Sequence, residues 1–186
     1  MSADPALADA PTVRDRLLNA AELVVVRDGV ANLTLDSVAR DAGVSKGGLL
    51  YHFPTKSSLI LAIVERMATH CEAEHAKAVA TNAGKPGGFT RAYLDARSEP
   101  MSPEEIPIHT AIIAASGSDP HLLEPFRKRL GDWQARIESD GIDPVTASIV
   151  RLAIDGLCLS TMLGVPVPTG ELREKIVARL YQMTKS

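Results

Sequence analysis

The chain has 186 residues, 45% hydrophobic and 23% charged, with a formal net charge of −3 and a pI of about 5.9. That composition suits a folded soluble protein, and the acidic balance argues against an architectural DNA protein held by charge alone. Aromatic residues make up only 4% and β-branched alternation is scarce, which favours an all-α fold over a sandwich or barrel.

Residues 1–11 are Ala-, Asp- and Pro-rich and read as a disordered tail, without the apolar core of a signal peptide. Thr12 caps a first helix, and Asp15 three residues on completes a capping-box variant. Leu17, Ala20, Ala21 and Val24 give this helix one apolar face, and Gly29 ends it.

The next stretch, LTLDSVARDAGVSKGGLLYHFPTK, carries the densest local signals. Thr34 is an N-cap, with Leu33 and Val38 placed as a hydrophobic staple around it. Gly43 stops that helix. Ser45 caps a second short helix, Val44 and Leu49 repeat the staple, and Pro54 closes it. Two short helices about a Gly-containing turn read as a helix-turn-helix. Gly47 and Gly48 each cost the second helix about 1 kcal/mol relative to Ala; they are either tolerated near a helix end or leave bare backbone for close approach to something. Lys46, Tyr51 and His52 on the same helix supply donors suited to a phosphate-lined groove.

The run AGVSKGGLLYHFPTKSSL resembles the signature of the tetracycline-repressor (TetR) family of bacterial regulators, over about residues 13–67. The resemblance implies a three-helix DNA-binding domain, a helical ligand-binding domain, a homodimer, and loss of DNA binding when a small ligand binds. By the same resemblance, Thr34 touches phosphate, and Lys46, Gly47 and Gly48 face the bases, with Ser45 at the head of that helix. Tyr51 and His52 lie at or beside the DNA backbone, and Lys56 binds phosphate. Many members have Tyr where this chain has Leu50, so that hydroxyl contact is lost or passes to Tyr51. Within residues 1–60, six basic side chains face seven acidic ones, so weak non-specific DNA binding is expected.

A long helix over residues 55–79 carries the stripe Ile60, Ile63, Val64, Met67 and Cys71, and is too long for the first domain alone. Residues 82–88, NAGKPGG, break it. A short helix follows at 89–97, a loop at 98–103, and an almost uncharged helix at 106–116 expected to be buried and central. Another helix opens at Asp119-Pro120, with Pro125 expected to kink its first turns. Helices at 145–163 and 171–183 complete the chain. The fold expected is all-α: a tail at 1–11, a three-helix helix-turn-helix domain at 12–54, and a ligand-binding and dimerisation domain at 55–186 that begins with a connecting helix at 55–80.

In the penultimate helix Ile149, Ala153, Gly156 and Ser160 share a side, and in the last Leu172, Ile176 and Leu180 do. Two such helices from each of two chains make a four-helix dimer bundle. A pocket for a mostly apolar ligand is expected between Ile108, His109, Ile112 and Ile113, a wall of Phe126, Leu130 and Trp133, and a third of Cys158 and Met162. His109 has two readings, a core histidine bonded to backbone or the polar handle of that pocket. Arg151 and Asp155, four apart, form an intrahelical pair.

Cys71 and His75, like His70 and Glu74, are spaced to share a metal, although no second ligand cluster is evident. The bland reading leaves Cys71 on the apolar stripe. Cys71 and Cys158 lack a C-x-x-C partner, which fits a reducing cytoplasm. The N-x-T match at Asn32 is read as chance. No apolar run looks long enough to span a membrane. Nucleotide, hydrolase and zincin motifs are absent. The function expected is a cytoplasmic, homodimeric transcriptional regulator, most simply a repressor of a palindromic double-stranded operator, released by a small lipophilic ligand and using no cofactor. The alternatives are a metal- or redox-responsive regulator working through Cys71 and His75, or a small helical enzyme.

Overall fold

The computed structural model describes residues 11–82, 84–103 and 105–185, so nearly all of the expected tail lies outside it. The described residues hold nine α-helices and no strand. They form two compact units: residues up to Ile63 with Ala111–Leu122, and Val64–Thr110 with Leu123 onward.

In the first unit, α1 (Val13–Asp28) starts at a complete capping box, in which Thr12 and Asp15 each accept the other's backbone N–H at 3.1 Å. Its buried face is Leu17, Leu18, Ala21 and Val24. α2 (Leu35–Asp41) repeats the device with Thr34 and Ser37. Gly43 at φ +64° turns the chain out of α2, and the Val44 N–H returns to the Ala39 carbonyl at 3.0 Å. Ser45 then caps α3 (Lys46–His52) by accepting the Gly48 N–H at 3.1 Å. Leu33, Val38, Leu49, Phe53 and Leu59 are buried between these helices and the first turns of α4. α4 (Lys56–Asn82) runs 27 residues without a break and belongs to both units, the boundary falling after Ile63.

The second unit takes the rest of α4 together with α5 (Gly88–Ser98), α7 (Glu124–Glu138), α8 (Pro144–Met162) and α9 (Gly170–Met183). Their core is Phe89, Tyr93, Leu94, Trp133, Ile137, Ala147, Val150, Ile154 and Leu180. α5 has no local side-chain cap. Instead Asp140, from the α7–α8 connection, accepts the Phe89 and Thr90 N–H groups at 3.0 and 2.7 Å and the Thr90 hydroxyl at 2.8 Å. Gly87, at φ +69°, is required there, since a Cβ would sit 2.6 Å from the Thr184 carbonyl oxygen.

Three expectations are corrected. α6 (Glu105–Ser116) is uncharged after its first residue, yet only Ile112 in it is buried, because the other apolar positions spread around the whole helix. Pro125 does not kink a helix. A 3₁₀ turn at Pro120–Leu123 ends just before α7, placing Pro125 in the first turn, where no intrahelical N–H is needed. And α8 does reach the length and apolarity of a membrane span, with 19 residues and a mean hydropathy of 1.4. Its two charges, Arg151 and Asp155, are taken up inside the unit. Asp155 accepts from the Tyr93 hydroxyl at 2.7 Å and from Arg151 at 3.2 Å, and Arg151 also reaches Gln134 at 2.5 Å.

Candidate nucleic-acid interface

α3 buries Leu49 and turns Lys46, Gly47, Leu50 and Tyr51 outward. Tyr51 is 85% exposed, an unusual position for a large aromatic side chain that packs on nothing larger than the edge of His52, 5.2 Å away. The two glycines differ. A Cβ on Gly48 would come 2.9 Å from Val44 Cγ1, so the fold itself asks for a small residue there. A Cβ on Gly47 would meet nothing within 4 Å. The fold therefore leaves room for a side chain at Gly47, and only an external surface would profit from its absence.

Charge around this face is locally compensated. Lys46 Nζ lies 2.9 and 3.2 Å from the two carboxylate oxygens of Asp36 in α2. Arg27 spans Asp28 and Asp41 at 2.8 and 2.9 Å, and these partners hold its guanidinium well above the usual range, the Asp28 hydrogen bond contributing most. Lys56, at the start of α4, donates to the Ala31 carbonyl at 2.9 Å and thus also fastens the α1–α2 connection. The Thr34 hydroxyl is engaged with Ser37. Thr34, Ser45, Lys46, Gly47, Gly48, Tyr51, His52 and Lys56 all lie within the first unit, on α2 and α3, at their caps or at the start of α4.

The residues expected in a ligand pocket fall on α6, α7 and α8, and are shared between the two units. Trp133 is a core residue, its ring centroid 4.9 Å from His75 and 5.8 Å from Tyr93. Leu130 packs against the same core, and Phe126 is half-buried. Ile108 and His109 are half-buried in the part of α6 assigned to the second unit, while Ile112 and Ile113 fall in the part assigned to the first. Burial holds the His109 imidazole below its ordinary pKa, against the opposing effect of Glu105. The Met162 carbonyl accepts the Thr110 hydroxyl at 2.5 Å. Cys158 lines a cleft near the end of α8.

The metal alternative gains no geometry. Among the described residues no three His, Cys, Asp or Glu side chains converge. His75 points into the core, 2% exposed, edge-on to Phe89 and Tyr93, and its Nε2 has no hydrogen-bond partner. Burial, with Arg97 and Arg136 nearby, pushes its pKa down to about 4.

Of the residues expected at a dimer face, Ile149 and Gly156 are exposed, Ser160 is half-buried, and Ala153 packs partly on the core. Of the three expected in α9, Leu172 is exposed, while Ile176 and Leu180 turn onto the chain's own core. The exposed stripe of α8 is Val145, Ile149, Leu152, Gly156 and Leu159, continued by the C-cap residue Leu163 and spaced alternately by four and three. Leu152 and Leu159 belong to this apolar repeat and lie off the small-residue side expected from sequence.

A capped helix-turn-helix followed by a helical second unit defines a class of bacterial regulators, and comparison places the chain in it. The family described as "Bacterial regulatory proteins, tetR family" matches residues 17–63, and "Tetracyclin repressor-like, C-terminal domain" matches 87–185. The chain belongs to the TetR family. It is 40% identical over 57 residues to the HTH-type transcriptional regulator SrpR of Pseudomonas putida, a match covering 31% of this chain and 27% of SrpR. The match therefore spans about a quarter of that relative's length. A transcriptional regulator from Rhodococcus sp. Rha1 shares the fold with a TM-score of 0.71 at 24% identity, over 93% of this chain and 96% of that one. The multidrug binding protein EbrR, solved with malachite green, does so at 0.62 and 24%, over 92% and 97%.

Proposed function

We propose that the protein is a homodimeric repressor that binds a palindromic operator in the cytoplasm through α3 and is released by a small, mostly apolar ligand. The observation that carries the DNA-binding part is Gly47, open on its outer side and flanked by exposed Lys46 and Tyr51 on a short capped helix. Bare backbone can approach the groove there, Lys46 reaches base edges, and Tyr51, His52, Lys56 and Thr34 meet phosphates. Two copies joined along the exposed α8 stripe present two α3 helices to successive major grooves, about 34–36 Å apart.

Release follows from chain continuity. α4 is one helix shared by both units, so a ligand that favours a different α4 tilt changes the spacing of the α3 helices. A coupling of about 1–3 kcal/mol loosens an operator 5- to 150-fold. The presence of a multidrug binding protein among the fold neighbours is in keeping with ligand control. Selection of bound sequences from random DNA duplexes tests the proposal. A two-fold symmetric consensus with half-sites about one helical turn apart is expected; recovery of unselected sequence would overturn it.

A further inference from the structure

Within the second unit the end of α5, the last turns of α8 and the start of α9 enclose a cleft of about 320 Å³. Its walls are apolar, formed chiefly by Pro100, Met101, Leu157, Val167 and Pro168, with Cys158 at their side. Arg173 is the cation on its lining. That side chain is half-buried and donates one N–H to the Ser98 carbonyl at 2.9 Å, which orients the guanidinium and leaves its other donors without a hydrogen-bond partner among the described residues. Burial pushes the Cys158 thiol up; Arg97 and Arg173 act against that rise, and Asp155, ion-paired with Arg97, adds to it. Thr169, at the N-cap of α9, makes no side-chain cap bond, so the first N–H groups of that helix add partial positive charge on the same wall. Glu99, the carboxylate on the lining, is exposed at the rim.

We propose that this cleft is the effector site and that it takes an amphipathic monocarboxylate, its acid group paired with Arg173 and its hydrocarbon body against Leu157, Val167 and Pro168. The proposal rests on the ligand-controlled reading above and moves the site away from Trp133 and the α6 isoleucines. The volume holds about ten water-sized groups, the size of a medium-chain or bicyclic aromatic acid. A carboxylate suits a guanidinium better than a neutral head group does, because the pair makes two parallel charge-assisted bonds. The occupied cleft would wedge α8 against α9, and α8 carries the exposed stripe proposed to join two copies.

The test is calorimetric titration of the full chain, without DNA, using octanoate and naphthoate against octanol and methyl octanoate. Saturable binding of at least one acid is expected, with octanol and the ester about tenfold weaker, the loss of one charge-assisted bond. Arg173→Met should bring the acid down to the level of the alcohol, and Arg173→Lys should recover part of the difference. Val167→Trp, on the surface loop, should block the acid and leave the circular dichroism unchanged. Should Arg173→Met fail to fold, Arg173→Lys and Val167→Trp decide. Absence of saturable acid binding, equal binding of acid and alcohol, or full binding by Val167→Trp would each overturn the site. Operator affinity is measured separately. An acid that fills the cleft without loosening DNA would remove the release mechanism and leave the site standing; a releasing ligand indifferent to Val167→Trp would do the reverse.

Discussion

Gly47 and Asp36 frame the chemistry at the scale of single residues. A methyl group on Gly47 has open space around it, and alanine favours a helix by about 1 kcal/mol over glycine. Gly47→Ala is therefore expected to melt in denaturant at the same or a higher midpoint while binding its operator markedly less well in a gel-shift titration. Normal binding by a stable variant would mean that no surface approaches this backbone. Asp36 holds Lys46 across the α2–α3 face, and on the surface proposed to meet DNA a carboxylate repels phosphate. Asp36→Asn should free the Lys46 ammonium, which on unrelated duplexes lacks its operator bases and turns to phosphate; affinity for such duplexes should rise, and their log–log salt slope should steepen by about 0.9 per added contact. Adding Lys46→Ala should cancel the gain. A gain that survives in the double variant would assign it to the lost repulsion alone.

At the scale of elements, α5 depends on a residue far away in sequence. Asp140 satisfies the first free N–H groups of that helix from the α7–α8 connection, across about 50 residues of chain. Asp140→Ala is expected to cost about 2 kcal/mol, the upper end for losing an N-cap, and to show as a lower thermal midpoint with DNA contacts untouched. No local pattern announces this cap, because its donor and acceptor are brought together only by packing. The caps of α1, α2 and α3 were all legible, since Thr12, Thr34 and Ser45 each bond a backbone N–H three residues on. His75 shows the opposite failure. Its spacing from Cys71 suggested a metal, whereas the structure makes it one ring in the core formed with Phe89, Tyr93 and Trp133.

For the whole molecule, His75 ties stability to pH. Its folded pKa of about 4 lies below the ordinary 6.5, so between those values the unfolded chain binds the extra proton. The His75 contribution to stability is full above about pH 6.5 and is lost as pH drops toward 4, at up to about 1.4 kcal/mol per unit, and His109, also held below its ordinary value, adds in the same direction. His75→Phe should flatten that slope in denaturant titrations and, by removing a buried unpartnered nitrogen, stabilise the protein at neutral pH. An unchanged slope would move the titrating group elsewhere. Assembly is the second property at this scale. Leu152 is 63% exposed at the centre of the α8 stripe, too much apolar surface for a helix to leave in water along its length. Leu152→Glu or Gly156→Arg should give monomers of unchanged helicity by sedimentation, with operator affinity lost together with the dimer. A persisting dimer would place the interface off α8.

The sequence by itself determined α1, α2 and α3, their caps, the turn at Gly43 and the exposure of Lys46, Gly47 and Tyr51. Those features depend on neighbours within a few residues, and local periodicity and capping chemistry report them directly. Tertiary structure alone decided which apolar faces meet. Leu172, Ile176 and Leu180 make a regular stripe, yet packing turns two of them inward and leaves α8 to carry the exposed repeat. The uncharged α6 is not the buried centre of the unit, and the cleft is lined from three separate stretches that share no spacing. A hydrophobic pattern states that a face will be covered; what covers it depends on contacts between residues far apart in the chain, which no local pattern encodes.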